Sequence, residues 1–167
     1  SGAVSSAPTM LRRGEPLPEP VPRTMLTVIP MFHVTACSAM LMGAMAIGHT
    51  TVFMRKWEPV RAMEIIEREK VNITGGVPTI PWQLIEHPER ANHDLSSLEA
   101  IIYGGAPSAP ELVRRIYEEF GALPANGWGM TETMATVTHH SSEDYLNRPT
   151  SAGPPVAVAD LEIRADD

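Results

Sequence analysis

One segment of this sequence concentrates residue types that could do chemistry: Asn126-Gly127-Trp128-Gly129-Met130-Thr131-Glu132-Thr133, an aromatic set between glycines and followed by a hydroxyl and a carboxylate. Trp128 offers a π face for a base, Asn126 can exchange hydrogen bonds with amide or amino groups, and Thr131 can donate to a phosphate. Glu132 separates the segment from a dinucleotide-binding turn, which would carry its third glycine there. A bare carboxylate repels phosphate unless a cation lies between them, so Glu132 points to Mg2+ bridging carboxylate and phosphates. The plainer alternative is a tight turn with a surface glutamate.

Two further segments join it. In Tyr103-Gly104-Gly105-Ala106-Pro107 paired glycines let the chain turn and let a flat ligand approach main-chain groups. A simple strand-to-helix turn would need the same glycines. In Pro30-Met31-Phe32-His33 the imidazole could polarise or orient a reacting group, or serve as a core or capping histidine. His87, His93, His139 and His140 fit no metal-ligand spacing and are expected in loops. Neither a G-x-S-x-G elbow nor a Walker loop is present, so a serine hydrolase or P-loop enzyme has no support. Met40, Met42 and Met45 suit a core or the flexible wall of an acyl-chain tunnel.

The elements that must position these segments alternate. Strands are expected over 25–29, 50–54, 71–74, 98–103 and 123–127, with a last one near 158–163. Helices are expected after His33 up to Gly48, from Pro59, over 80–86, and from a Ser108-Ala109-Pro110-Glu111 capping box to Gly121. Residues 139–155 read as a polar loop. Strand and helix in alternation predict an α/β fold, a mostly parallel sheet flanked by helices, which binds ligands beyond the carboxyl ends of its strands. Residues 1–23, with proline at 16, 18, 20 and 22, read as a Pro-rich linker, and 24–167 as the folded unit.

Composition narrows the partners. At 167 residues the chain suits one domain, and 43% hydrophobic residues argue against disorder throughout. Thirteen basic against twenty acidic side chains leave a net charge of −7, without the basic field that nucleic-acid binding needs. The most apolar run, residues 36–47, is shorter than the roughly 20 residues of a membrane span and reads as a buried helix. With a single cysteine, Cys37, and no visible secretory signal, a cytoplasmic location is expected.

In this order, Pro30–His33, Tyr103–Pro107 and Asn126–Thr133 resemble the adenylate-forming superfamily of acyl-CoA synthetases, luciferases and peptide-synthetase adenylation domains. Residues 24–167 look like the central part of the large N-terminal domain of a bacterial fatty acyl-CoA synthetase. The resemblance implies ATP, Mg2+ and CoA as cofactor and co-substrates, and a small carboxylic acid converted to an acyl-adenylate and then to a thioester. It gives catalytic roles to His33, Thr131 and Glu132, with Glu132 also the Mg2+ ligand. It gives nucleotide and acyl contacts to Gly104, Gly105, Ala106, Pro107, Asn126, Gly127, Trp128, Gly129 and Met130. Where many acyl-CoA synthetases have glycine three residues after the histidine, this chain has Ala36.

The family's phosphate loop and catalytic lysine match nothing in these residues. The chain is therefore expected to be a fragment of an AMP-forming acyl-CoA synthetase acting on a fatty or other apolar acid, inactive alone. A non-catalytic nucleotide- or acyl-binding module, a peptide-synthetase-type adenylation fragment, and a scaffold that dimerises through exposed sheet edges are the alternatives.

Overall fold

Strand and helix alternate to build one six-stranded sheet in the computed structural model, which describes Gly14 and residues 21–165. The strands are β1 (Thr24–Thr27), β2 (Thr50–Phe53), β3 (Ile73–Gly76), β4 (Ala100–Gly104), β5 (Leu123–Met130) and β6 (Ala135–Ser141). Their order across the sheet is β2-β1-β3-β4-β5-β6. The first five run parallel and β6 returns antiparallel to β5, which bears out the mostly parallel α/β reading. The linker expected over residues 1–23 lies almost wholly outside the described residues. Among the described residues no helix is long and apolar enough to cross a membrane.

Between β1 and β2 the chain forms a π-helix, Thr35–Leu41, continuous with α1 (Met42–Ile47) and ended by Gly48 at φ +79°. The other helices are α2 (Pro59–Glu69), α3 (Thr79–Glu86), α4 (Pro110–Phe120) and α5 (Ser142–Asn147). Proline opens α2 and α4, where its missing N–H costs nothing. Their apolar stripes, Ala62, Met63, Ile65 and Ile66 on α2 and Leu112, Val113 and Ile116 on α4, face Leu26, Val28, Ile101 and Tyr103 of the sheet. This side holds the core. The opposite side of the sheet carries the π-helix, which packs against β6.

Four expectations need correction. Ser108 and Glu111 form no capping box: Pro110 forces the residue before it into extended backbone, so Ala109 becomes the N-cap without a side-chain bond. Ser108 Oγ instead lies 3.4 Å from the Tyr103 hydroxyl. Residues 139–155 begin in β6 and continue through α5, so His139 and His140 belong to a strand. No strand forms over 158–163 among the described residues; Val158 and Ile163 are 90% and 93% exposed, and the isolated bridge to β6 comes earlier, between Pro155 and Thr138. The Met-rich helix is buried on one side alone: Ala36, Gly43 and Ala44 face inward, while Cys37, Met42 and Met45 face out.

Candidate active site

Parallel register aligns Tyr103 with Asn126 and Gly104 with Gly127, so the two glycine segments become neighbours at the carboxyl ends of β4 and β5. The sequence reading ended this strand at Gly127; Trp128, Gly129 and Met130 also belong to β5, whose pairing with β6 slips between Trp128 and Gly129. A bulge of this kind re-aims side chains. Here Trp128 and Met130 stand out, 45% and 46% exposed. Gly129 allows the approach of β6, because a Cβ there would lie 1.4 Å from the carbonyl oxygen of Ala135.

Thr131 and Glu132 follow in a single 3-10 turn, both exposed. Thr133 closes it: its hydroxyl oxygen accepts the Met130 N–H at 3.1 Å. The chain then reverses through Met134 and Ala135 at φ +56° and +87°, a conformation that L residues adopt at a cost. The turn thus holds a hydroxyl and a carboxylate at the mouth of the sheet.

His33 sits in the tight turn that launches the π-helix. Its N–H donates to Pro30 O at 2.9 Å, and its own carbonyl accepts from Ala36 and Cys37 at 3.0 and 3.1 Å. The Thr35 N–H donates to His33 Nδ1 at 3.1 Å, so a neutral ring carries its proton on Nε2.

A cleft of about 370 Å³ runs between the π-helix and the sheet. It gathers His33, Gly104, Gly105, Gly127, Trp128, Gly129, Met130 and Thr131 along one surface. Ala106, Pro107, Asn126 and Glu132 are not in its walls. For Asn126 the cause is strand alternation, which sets it on the face of Tyr103, opposite Gly127. Met25, Ile29, Ile73 and Ala44 make the deeper wall apolar.

Four polar wall residues were missed in the sequence: Thr35, His49, Thr136 and His139. For Thr136 and His139 the signal was period-two alternation over 135–141, obscured by reading part of that stretch as a loop. Burial holds both His49 and His139 below the ordinary imidazole value of 6.5, with Arg23 adding repulsion at His49 and His140 at His139. The Tyr103 phenol, buried and 3.1 Å from the Tyr145 hydroxyl, is pushed up, chiefly by burial.

Among the described residues no cluster of three His, Cys, Asp or Glu side chains could hold a metal. The single carboxylate of Glu132 fits a Mg2+ ion that takes its remaining ligands from phosphates and water. The π face of Trp128 beside side-chain-free backbone fits a nucleobase.

A family model described as AMP-binding enzyme matches residues 3–167. The long-chain-fatty-acid–CoA ligase FadD13 of Mycobacterium tuberculosis is 34% identical over 143 residues, 86% of this chain and 28% of the relative. The 4-coumarate-CoA ligase 1 of Narcissus pseudonarcissus is 32% identical over 143 residues, 83% of this chain and 26% of the relative. Among solved structures, the N-terminal domain of FACL13 from Mycobacterium tuberculosis superimposes with a TM-score of 0.73 at 32% identity, covering 81% of this chain and 34% of that one. The chain spans about a quarter of the length of the curated relatives it matches.

Proposed function

The chain belongs to the AMP-binding enzyme family, and on that premise we propose that it forms the acid- and adenine-binding side of an AMP-forming acid–thiol ligase. The substrate is a fatty or other apolar carboxylic acid, activated by ATP and passed to CoA. The observation that carries this reading is the cleft itself, which brings His33, the Gly104-Gly105 strip and the Gly127–Thr131 run together against an apolar inner wall. That its relatives are fatty-acid and 4-coumarate CoA ligases fits the same chemistry.

In this reading the acid enters between the π-helix and the sheet with its body on the apolar wall. His33, its proton on Nε2, donates to the substrate carboxylate and orients an oxygen toward the α-phosphorus of ATP. That oxygen bonds to phosphorus, pyrophosphate leaves, and an acyl-adenylate remains; a thiol then takes the acyl carbon and AMP departs. Trp128 stacks on the adenine, and Thr131 donates to phosphate. Glu132 would hold the Mg2+ that offsets the negative charge of the phosphates. The half-buried imidazole of His139, its pKa lowered by desolvation, adds no charge to the cleft at pH 7.

The experiment is a calorimetric titration of the chain with a non-hydrolysable acyl-adenylate analogue and Mg2+, in parallel with Trp128→Ala. Saturable binding that weakens in the variant supports the assignment. Binding that is unaffected by the substitution overturns the adenine role of Trp128, and absence of binding overturns the claim that these residues form the site by themselves.

A further inference from the structure

Residues paired across neighbouring strands point to the same face of a sheet. Gly104 pairs with Gly127, and Gly127 pairs with His139, so the three form one row across β4, β5 and β6 on the cleft side. The first two positions carry no side chain. With strands roughly 4.8 Å apart, the row from Gly104 to His139 spans about 10 Å and is flat until it meets an imidazole.

The two adjacent histidines of β6 differ in what they do. His140, on the opposite face, packs on Tyr145 with ring centroids 5.1 Å apart and lies 3.4 Å from the Ser151 carbonyl through Nδ1. It is a core residue, 6% exposed, with Nδ1 beside that carbonyl. The His139 ring, half-buried in the cleft wall, has no hydrogen-bond partner among the described residues. Its backbone is fixed, paired with β5 and donating its N–H to Pro154 O at 3.1 Å, and the π-helix packs over the strand. A rigidly mounted polar ring with nothing to bind is suited to a ligand group.

We propose that His139 determines specificity by hydrogen-bonding a hydroxyl on a planar, otherwise apolar carboxylic acid that lies on the Gly104–Gly127 floor. A neutral imidazole presents one N–H and one bare nitrogen, and a hydroxyl both accepts and donates, so each can satisfy the other. Burial keeps the ring neutral at pH 7, which disfavours a second carboxylate as its partner. A plain alkyl or aryl acid would leave the ring without a partner after water is expelled. The inference rests on the adenylation reading and names the substrate class of the same site.

The test titrates the chain calorimetrically with cinnamic acid and with its para- and meta-hydroxy derivatives, with AMP measured alongside. At least one hydroxylated acid should bind about tenfold more tightly than cinnamic acid. The preference should vanish in His139→Leu and survive in part in His139→Gln, which keeps a donor and an acceptor. Equal affinity for all three acids, or a preference that persists in His139→Leu, overturns the inference alone. Binding of AMP with no acid bound also overturns it and leaves the adenine side standing. Binding of neither AMP nor acid overturns the inference together with the adenylation reading.

Discussion

A Cβ added to Gly104 would lie 2.3 Å from the carbonyl oxygen of Gly127, so β5 can lie this close to residue 104 only while that residue is glycine. Backbone, unlike the end of a flexible side chain, cannot step aside. The contact ties the two glycine segments of the cleft to each other through the β4–β5 register.

Gly104→Ala is therefore expected to lower the stability of the chain by about 1–3 kcal/mol, the range for overpacking. Gly121→Ala is the comparison, because Gly121 caps α4 at φ +64° with open space around it and should cost only about 1 kcal/mol, from backbone strain. Denaturant unfolding of both variants checks the order. A milder effect for Gly104→Ala would contradict the close contact.

Trp128→Ala should weaken an acyl-adenylate analogue by about ten- to a hundredfold, the worth of one base stacked on an aromatic ring. The melting temperature should barely change, because the side chain is 45% exposed. Trp128→Tyr should keep most of the affinity. Calorimetry and thermal unfolding on the same samples separate lost stacking from lost structure.

Mg2+ should tighten ATP binding to the native chain and leave Glu132→Ala unaffected. Charge stabilisation in phosphoryl transfer needs donors and metal held together around the reacting groups. Here Glu132 stands alone and exposed, so pyrophosphate release by this chain should not exceed that of Glu132→Ala. A coupled pyrophosphate assay with an acid and ATP decides it, and clear turnover above the variant would contradict the expectation.

His49 and His139 predict a pH dependence of stability. Both have native pKa values below 6.5, so between 6.5 and the lowered value the unfolded chain binds protons that the native chain does not. The stabilisation is complete above pH 6.5 and is lost as pH falls through the native values. Melting temperatures should drop on acidification from about pH 7.5 to about pH 5, and less steeply in His139→Gln, since an amide does not titrate. An unchanged slope in that variant would show that the ring is not buried as described.

Periodicity made much of this fold legible. The stripes of α2 and α4, the proline start of α2 and the glycine cap of α4 depend on neighbours in sequence, and they stand where they were read. The errors arose where distant pairing decided the outcome. β6 forms because β5 offers an edge to its seven residues, whereas residues 158–163 pair with no strand among the described residues. Of the site, the glycines, Trp128 and His33 were legible because unusual residue types cluster there. His139 was not: its position depends on a cross-strand register with Gly127 that no local pattern encodes.

The outward-facing thiol of Cys37 has a practical consequence. It is the chain's only cysteine, it is exposed, and it lies on the π-helix, one turn beyond His33. A maleimide-linked dye would attach at one defined point on the roof of the cleft without competing sites. With Trp57 and Trp82 replaced by phenylalanine, Trp128 is the sole indole donor, and energy transfer from it to a dye at Cys37 would read the separation of roof and floor in real time as a ligand enters.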